Sequence, residues 1–259
     1  MKKFKSTTFL KVRDLGGPFI GSTMILLELV ENDIVLHRIL LDCGLKSEFS
    51  PEKGEFLDTE PLDRLKKVLL DKIDPYQNGI QQIIISHIHE DHSGSLPLIA
   101  KWCRENKIPM PKVYMTLVSH MQFRDFQYEL YDIFMESAKR TGEEYVWNKN
   151  DIDNAMLNVE PVSFESYRNL ETEIGDYQIF LRFIPSGHIV GAAMIELSFN
   201  RGEKTMGRLL YTGDFCVRKA SFLVDPVDLK GLRFIPYNVV IFETTYLLKP
   251  TEKATTTEI

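Results

Sequence analysis

The feature that most constrains this chain is a cluster of histidines placed directly after a short apolar run. The run Gln82-Ile83-Ile84-Ile85-Ser86 is followed by His87-Ile88-His89-Glu90-Asp91-His92. An apolar run of this length is consistent with a buried strand, and the polar residues then occupy the loop at its end. Imidazole nitrogens and carboxylate oxygens bind zinc and related ions, so two histidines of the loop can turn toward one ion and Asp91 and His92 toward another. The segment therefore predicts a metal-binding loop at the end of a strand.

Two later apolar runs also end in a potential metal ligand. Residues 183–187 lead to His188, and residues 210–213 lead to Asp214. A glycine, Gly187 or Gly213, stands immediately before each ligand, and its conformational freedom permits a sharp turn that aims the next side chain into a shared cleft. Either residue alone is more often structural than a ligand. Together with the histidine loop, the two indicate one metal centre to which several strand ends contribute.

Strands and helices are interleaved along the chain, which predicts an α/β fold in one compact domain. We expect strands at residues 7–12, 24–30, 34–41, 82–86, 112–116, 179–184, 192–199, 208–212 and 238–243, where apolar and β-branched residues concentrate. Helices are predicted from Pro61 onward, over residues 96–106 and over residues 117–139, whereas residues 46–54 are polar and rich in turn formers. The domain is placed at residues 1–250, and the polar residues 251–259 are interpreted as a tail or an interrupted linker.

Composition and charge narrow the classes of protein to consider. With 259 residues, of which 44% are hydrophobic, the chain can bury a full core. No run approaches the roughly 20 apolar residues of a membrane helix, and the basic start is not followed by a signal-peptide core, so we expect a cytoplasmic protein with no membrane partner. The net charge of −6 argues against a broad basic face for nucleic acid. Bound cations would reverse the field inside an acidic pocket, so a nuclease stays open.

The three cysteines indicate no disulfide framework and no structural zinc site. Cys43, Cys103 and Cys216 are scattered, and an odd number cannot all pair. We predict that all three are buried thiols.

Five stretches of the sequence follow one another in a recognisable order. They are Leu41-Asp42-Cys43-Gly44, His87 to His92, Ser186 to Met194, Tyr211 to Phe215 and Phe242-Glu243-Thr244-Thr245-Tyr246. In these motifs the chain resembles the metallo-β-lactamase superfamily and, within it, the β-CASP nucleases, especially the endonucleases of mRNA 3′-end processing. The likeness extends over about residues 8–246, and residues 151–165 are similar to the family's acidic helix before its next strand. It implies an αββα sandwich with the metals at the strand ends.

The resemblance also implies two divalent metal ions, zinc or alternatively manganese. The ligands carried over are His87, His89 and His188 for one ion, Asp91 and His92 for a second and weaker ion, and Asp214 as the bridge between them. Asp42 matches the family's first acidic position, which orients the metal loop without touching the metal. The alternative interpretation of Asp42 is a turn residue at a strand end.

Asp91 and Glu243 are the candidate catalytic residues. Asp91 would orient the attacking hydroxide that the two ions activate. Glu243 matches the carboxylate that, in the β-CASP family, partners a histidine acting as the general acid. That family inserts a second domain shortly after this position and then contributes two more histidines, whereas here none follows Asp214. We therefore expect the insertion and the C-terminal completion to be missing.

The two remaining histidines are poor substitutes for the missing ones. His37 lies within a predicted strand and His120 near a helix start, so both are predicted to be structural or exposed. Three explanations follow: half of a split enzyme that a second protein chain completes, a shortened gene product, or a degenerate scaffold that keeps the metal loop.

Three functions compete. The favoured one is a metal-dependent phosphodiesterase, a nuclease acting on RNA more than on DNA, which needs a partner chain. The second is a small-molecule hydrolase of the same superfamily that cleaves a thioester, lactone or cyclic nucleotide, which would need a self-contained site. The third is a non-catalytic metal-binding subunit of a larger complex, which would bind its partner without turnover.

Overall fold

The computed structural model of the protein describes residues 7–16, 22–45, 47–50, 54–57, 59–73, 79–141, 147–172, 174–217, 225 and 236–242. The strands in these residues are β1 (Thr8–Asp14), β2 (Ile25–Glu31), β3 (Ile34–Leu41), β4 (Ser47–Ser50), β5 (Gly54–Leu57), β6 (Gln82–Ile84), β7 (Lys112–Thr116), β8 (Val159–Val162), β9 (Tyr167–Asn169), β10 (Tyr177–Pro185), β11 (Ala193–Arg201), β12 (Lys204–Tyr211) and β13 (Val239–Ile241). The helices are α1 (Thr59–Leu70), α2 (Glu90–Ser93), α3 (Leu96–Asn106), α4 (Leu117–Thr141) and α5 (Lys149–Met156).

Two sheets carry the architecture. The first has the strand order β1-β2-β3-β6-β7-β8, and the second has the order β13-β12-β11-β10-β9. In the first sheet β1, β2 and β3 are antiparallel, whereas β3, β6, β7 and β8 run parallel. The parallel register pairs Leu41 with Ile84 and Ile84 with Tyr114, so the carboxyl ends of β3, β6 and β7 meet at one edge of the sheet.

The side-chain alternation of the first sheet divides the core in two. Leu40 and Ile83 join an apolar cluster with the helices, whereas Leu41 and Ile84 join a second cluster with residues of the other sheet. Successive side chains of a strand point to opposite faces, so one sheet can bury both of its faces in this way. The order of layers is therefore helices, first sheet, second sheet.

The helices pack on the outer face of the first sheet. Leu65 of α1, Ile99 of α3, Phe123 of α4 and Ile152 of α5 all belong to the cluster on that face. Within the described ranges no helix joins the small cluster of Ile184, Met194 and Leu210 on the second sheet. These residues thus form the αββ part of the predicted sandwich. No helix in the described part is long and apolar enough to cross a membrane.

Most predicted elements are confirmed, and three predictions need correction. The polar residues 46–54, predicted as turns, contain β4, which pairs with β5 from Ser47↔Leu57 to Ser50↔Gly54. A hairpin can form by backbone hydrogen bonding without the apolar alternation on which the strand prediction relied. The helix predicted from Pro61 begins two residues earlier, because proline is tolerated in the first helical turn.

The third correction concerns the extent of the helix in residues 151–165, which resemble the family's acidic helix before its next strand. Here α5 ends at Met156 and β8 follows from Val159. Asn148 begins the helix with a reciprocal capping box to Asp151. Pro161 cannot continue a helix, and it is tolerated in β8 because that strand lies at the edge of its sheet.

Candidate metal centre

The ends of strands from both sheets meet at one site. Asp42 follows β3 and its backbone N–H donates to Ile84 O at 2.9 Å, which aligns it with the end of β6. Two residues separate β6 from His87. On the second sheet, residues 186–192 join β10 to β11, and Asp214 lies three residues beyond β12. The Ala193 N–H donates to Ser86 O at 2.9 Å, so the two sheets are tied together beside the histidine loop.

The histidine loop is held by its backbone. His89 precedes α2, a single turn that carries Asp91 and His92, and the Ser93 N–H closes that turn on His89 O at 2.9 Å. Two neighbouring segments restrain the loop further: Thr23 N donates to Asp91 O at 2.8 Å, and Cys43 N donates to His92 O at 2.7 Å. The loop is therefore fixed before any ligand is considered.

The two predicted glycine turns are present. Gly187 has φ +75° and Gly213 has φ +49°, both in the left-handed region that glycine adopts at little cost. A Cβ on Gly213 would lie 2.9 Å from both Cβ and Oγ of Ser86. The absence of a side chain at Gly213 therefore permits the close approach of the second sheet to the end of β6.

Three histidines form the first group of converging donors. His89 Nδ1 lies 3.1 Å from His87 Nε2 and 3.2 Å from His188 Nε2. His188 Nε2 lies 3.5 Å from Asp214 Oδ2. Two ligands at 2.0–2.1 Å from a tetrahedral zinc are themselves roughly 3.3–3.4 Å apart. The three separations, 3.1, 3.2 and 3.5 Å, fit such an ion.

The second group is built around His92. Its Nε2 lies 3.3 Å from Asp214 Oδ1 and 3.7 Å from Asp91 Oδ2. The potential ligand atoms of His87, His92 and Asp214 all lie within 4.8 Å of one another, as do those of His87, His89 and His188. One carboxylate oxygen of Asp214 faces His92 and the other faces His188. Asp214 thus stands between the two groups, while Asp91 lies at the margin with a side chain that is 39% exposed.

Asp42 is buried behind the histidines and does not face the cleft. Its Oδ1 accepts from Ser86 N at 2.7 Å, and its Oδ2 accepts from Ser86 Oγ, His92 Nδ1 and Tyr211 Oη, each at 2.7 Å. The backbone of Asp42 has φ +57°, a strained conformation for a residue with a side chain. These contacts fit an orienting role better than the alternative of a turn residue.

The electrostatics of the two groups differ. Burial, reinforced by the neighbouring imidazoles of His92 and His89, holds the pKa of His87 far below its ordinary value. Burial acts the same way on His92, but the carboxylates of Asp42 and Asp214 outweigh it and raise the pKa of His92 to about 10. Burial would raise the pKa of Asp214, yet the adjacent His92 and His188 lower it on balance. The low pKa of His87 favours a neutral nitrogen donor, whereas the raised pKa of His92 means that a cation there must compete with a proton.

The other predicted residues lie elsewhere. Glu243 lies outside the described residues, as do residues 251–259. His37 is buried on β3 and contacts Gln82, and His120 lies half-buried on α4, so neither joins the cluster. Cys43 and Cys103 are buried as predicted, but Cys216, two residues after Asp214, is only half-buried.

Two residues of the site were not singled out from the sequence. Ser86 and Tyr211 both donate to the Asp42 carboxylate, and Ser86 Oγ also lies 3.0 Å from His87 Nδ1. Ser86 directly precedes the histidine motif and Tyr211 belongs to the run before Asp214. Their positions beside the ligands were visible in the sequence, but their contacts depend on the packing of the two sheets.

Comparisons with known proteins agree with this geometry. A family model described as a metallo-beta-lactamase superfamily domain matches residues 29–231. The chain is 29% identical to the transcription termination factor FttA of a Lokiarchaeum species, over 64% of this chain and 23% of that protein. It is 27% identical to an RNase J-like protein of Methanocaldococcus jannaschii, over 87% of this chain and 41% of the relative. Its identity to cleavage and polyadenylation specificity factor 73 of Drosophila melanogaster is 26%, over 93% of this chain and 29% of the relative. The chain thus spans less than half of the length of each relative.

Proposed function

Because the chain belongs to the metallo-β-lactamase superfamily, we propose that it is the metal-binding part of a β-CASP-type nuclease. The reaction would be metal-dependent hydrolysis of a phosphodiester, in RNA more than in DNA. The RNase J-like protein and the cleavage and polyadenylation specificity factor that the chain resembles bear names that denote RNA processing. Their likeness supports the substrate class, and the geometry supports the chemistry.

The proposal rests on the position of Asp214 between two groups of potential metal ligands. One of its oxygens faces His188 of the three-histidine group and the other faces His92 beside Asp91. We infer that His87, His89 and His188 hold one ion, that Asp91 and His92 hold a second, and that Asp214 bridges them. Zinc is the expected ion, with manganese as the alternative, since imidazole and carboxylate suit both.

Two such ions, when bound, would supply an activated water near neutral pH and stabilise charge on the phosphoryl group. The chain's own residues would then direct the reaction. Asp91 is the most exposed carboxylate of the cluster, so it is placed to accept a hydrogen bond from the attacking water. Asp42 holds His92 through Nδ1 and leaves Nε2 directed at Asp214. Glu243 would assist a general acid that another segment supplies.

The second ion should bind less tightly than the first. Its proposed protein ligands are Asp91, His92 and Asp214, and His92 must lose the proton that Asp42 and Asp214 favour. We propose that a second protein chain supplies a further histidine ligand and the general acid. Without them cleavage should be slow, because a positioned general acid contributes about 10²–10⁴-fold to the rate.

Metal analysis tests the first part of the proposal. Protein loaded with zinc and then dialysed against a mild chelator should lose one ion well before the other. A preparation that retains no ion after loading would overturn the metal centre.

Cleavage assays test the second part. The zinc-loaded chain should cut single-stranded RNA slowly, cut single-stranded DNA less, and lose both activities in EDTA. An extract fraction that contains the partner chain should accelerate cleavage, and wild-type protein should respond more strongly than Glu243→Gln. Hydrolysis of a thioester or lactone without any cleavage of RNA would favour the small-molecule hydrolase instead. Fast multiple-turnover cleavage that no partner changes would overturn the split-site proposal.

A further inference from the structure

We propose that Ser86 is a positioning residue that fixes the tautomer of His87, and that the Asp42 carboxylate thereby orders both groups of metal ligands. The inference rests on the metal centre proposed above. It adds a residue that touches no expected ion and a coupling between the two groups. Each step follows from the hydrogen-bond donors and acceptors around Asp42.

The Asp42 carboxylate is buried among hydrogen-bond donors. It is 0% exposed, and four donors surround it at 2.7 Å each, namely Ser86 N, Ser86 Oγ, His92 Nδ1 and Tyr211 Oη. An ionised carboxylate only accepts hydrogen bonds and offers about four lone-pair sites. Ser86 N meets Oδ1 and the other three meet Oδ2, and because the carboxylate has no proton to give, each of the four neighbours must donate.

This requirement determines where the protons of Ser86 and His87 lie. A serine hydroxyl has one proton, and Ser86 gives it to Asp42, the charged and nearer acceptor. His87 Nδ1 lies 3.0 Å from the same hydroxyl oxygen. Since that oxygen has no proton left, His87 Nδ1 must donate to it. A neutral His87 then carries its proton on Nδ1 and keeps a lone pair on Nε2.

The lone pair on His87 Nε2 is the one that a metal ion needs. Nε2 is the atom that lies 3.1 Å from His89 Nδ1, inside the first group. The other tautomer would place a proton there and block the ion. Ser86 thus selects the ligating tautomer of His87, in the way that partners outside the first coordination sphere commonly orient metal-bound histidines.

The same carboxylate acts directly on the second group. His92 Nδ1 donates to Asp42 Oδ2, so that Nε2 faces Asp214. Asp42 therefore orders His92 directly and His87 through one hydroxyl. The position of that hydroxyl depends on the second sheet, because Ala193 N donates to Ser86 O and Gly213 leaves no room for a side chain beside Ser86.

The tautomer can be measured in metal-free protein without any variant. Nitrogen-15 spectra of labelled histidine, assigned with His87→Gln, should show neutral His87 with its proton on Nδ1. A proton on Nε2 would overturn the assignment. This measurement does not depend on activity or on the proposed nuclease function.

A set of three variants then tests the role in metal binding. Ser86→Ala should lower the affinity for the first ion by about 10–100-fold, as measured by competition titration with a chromophoric chelator. Ser95→Ala is the matched control, because Ser95 is equally buried and its hydroxyl donates to Gly44 O at 2.6 Å instead of to Asp42. Tyr211→Phe removes a different donor to Asp42 and spares His87. Ser95→Ala and Tyr211→Phe should each change the affinity for the first ion by less than about 3-fold.

The outcomes separate this inference from the proposed function. If wild-type protein binds two ions and Ser86→Ala binds the first equally well, the role of Ser86 is refuted while the metal centre stands. If Ser86→Ala and Tyr211→Phe lose affinity for the first ion equally, a general loosening of Asp42 is responsible. That result also refutes the role of Ser86. If wild-type protein binds no metal, the metal centre fails, whereas the tautomer of His87 still decides the role of Ser86. Should Ser86→Ala not fold, the tautomer in wild-type protein still decides.

Discussion

At the scale of single residues, some side chains of the site stabilise the fold, and others are exposed where a reaction would take place. Asp42 and Asp91 are the clearest contrast, since Asp42 is fully buried with four hydrogen-bond donors and Asp91 is 39% exposed at the cleft. A buried carboxylate that loses its donors costs stability, whereas an exposed one does not. Their replacement should therefore have different consequences.

Replacement of Asp91 should affect turnover more than folding. Asp91→Ala should leave the free energy of unfolding within about 0.5 kcal/mol of wild type, as is usual for exposed positions. It should retain the first ion and lose about 10²-fold or more in the rate of RNA cleavage. Asp63→Ala, at an exposed position on α1, is the matched control and should change neither quantity. An Asp91→Ala variant with full activity would exclude its proposed role.

His37 should make the stability of the metal-free protein depend on pH. Burial lowers the pKa of His37 to about 4, against the smaller opposing effect of its hydrogen bond to Gln82. The unfolded chain has the ordinary value of about 6.5. Between these values the unfolded state binds more protons, so stability is present above pH 6.5 and falls as the pH drops toward 4.

The comparison of wild type with His37→Gln isolates this effect. In chelator, the stability of wild type relative to the variant should fall by roughly 1–2 kcal/mol between pH 7 and pH 5. Urea unfolding at the two pH values measures it. Equal pH dependence of the two proteins would show that His37 takes up its proton in the folded state as well.

At the scale of elements, the turns after the strands determine how closely the sheets approach. Gly213 and Gly202 both have positive φ, +49° and +56°, but they differ in surroundings. A Cβ at Gly202 would meet nothing within 4 Å, whereas at Gly213 it would lie 2.9 Å from Ser86. Gly202 ends no ligand-bearing strand, so it provides a control for backbone strain alone.

Gly213→Ala should therefore be worse than Gly202→Ala. Backbone strain should cost each variant roughly 1–2 kcal/mol, and the contact with Ser86 should add about 1–3 kcal/mol to Gly213→Ala. Gly213→Ala should also lose affinity for metal, because Asp214 and Ser86 must move. Urea unfolding of metal-free protein and a zinc competition titration measure the two effects. Equal results for both variants would argue against a steric role of Gly213.

At the scale of the whole molecule, the proposed ions would connect the two sheets. His87, His89 and His92 follow β6 of the first sheet, whereas His188 and Asp214 follow strands of the second sheet. A ligand that binds only the folded state raises stability by about 2.7 kcal/mol at 100 times its dissociation constant. Bound metal should therefore stabilise the packing of the two sheets.

Thermal unfolding should show this linkage. For a chain of this size, zinc at that excess should raise the unfolding temperature by roughly 5–10 °C, since about 2–4 °C correspond to each kcal/mol. His188→Ala should lose most of the increase, because it removes the ligand from the second sheet. His120→Ala, on α4 and in neither group of ligands, should keep it. An unchanged increase in His188→Ala would exclude an ion that links the sheets through this residue.

The sequence by itself determined the local features of the protein. The strand at residues 34–41, the helix at residues 96–106 and the strand at residues 112–116 were predicted with the bounds observed, because apolar spacing and flanking turns act locally. The histidine loop and the glycine turns before His188 and Asp214 were likewise local. Residues 47–50 were misjudged, since a hairpin needs no apolar alternation. The helix expected within residues 151–165 is present but ends at Met156, before Pro161.

Only the tertiary structure decided which atoms face one another. Tyr211 donates to Asp42 across 169 residues of chain, and His188 meets His89 across 99. No periodicity in the sequence encodes the register of two packed sheets, because it follows from the summed burial of both faces. The motif therefore identified the ligands, whereas packing determined the orienting contacts of Ser86 and Asp42 and the position of Asp214 between the two groups.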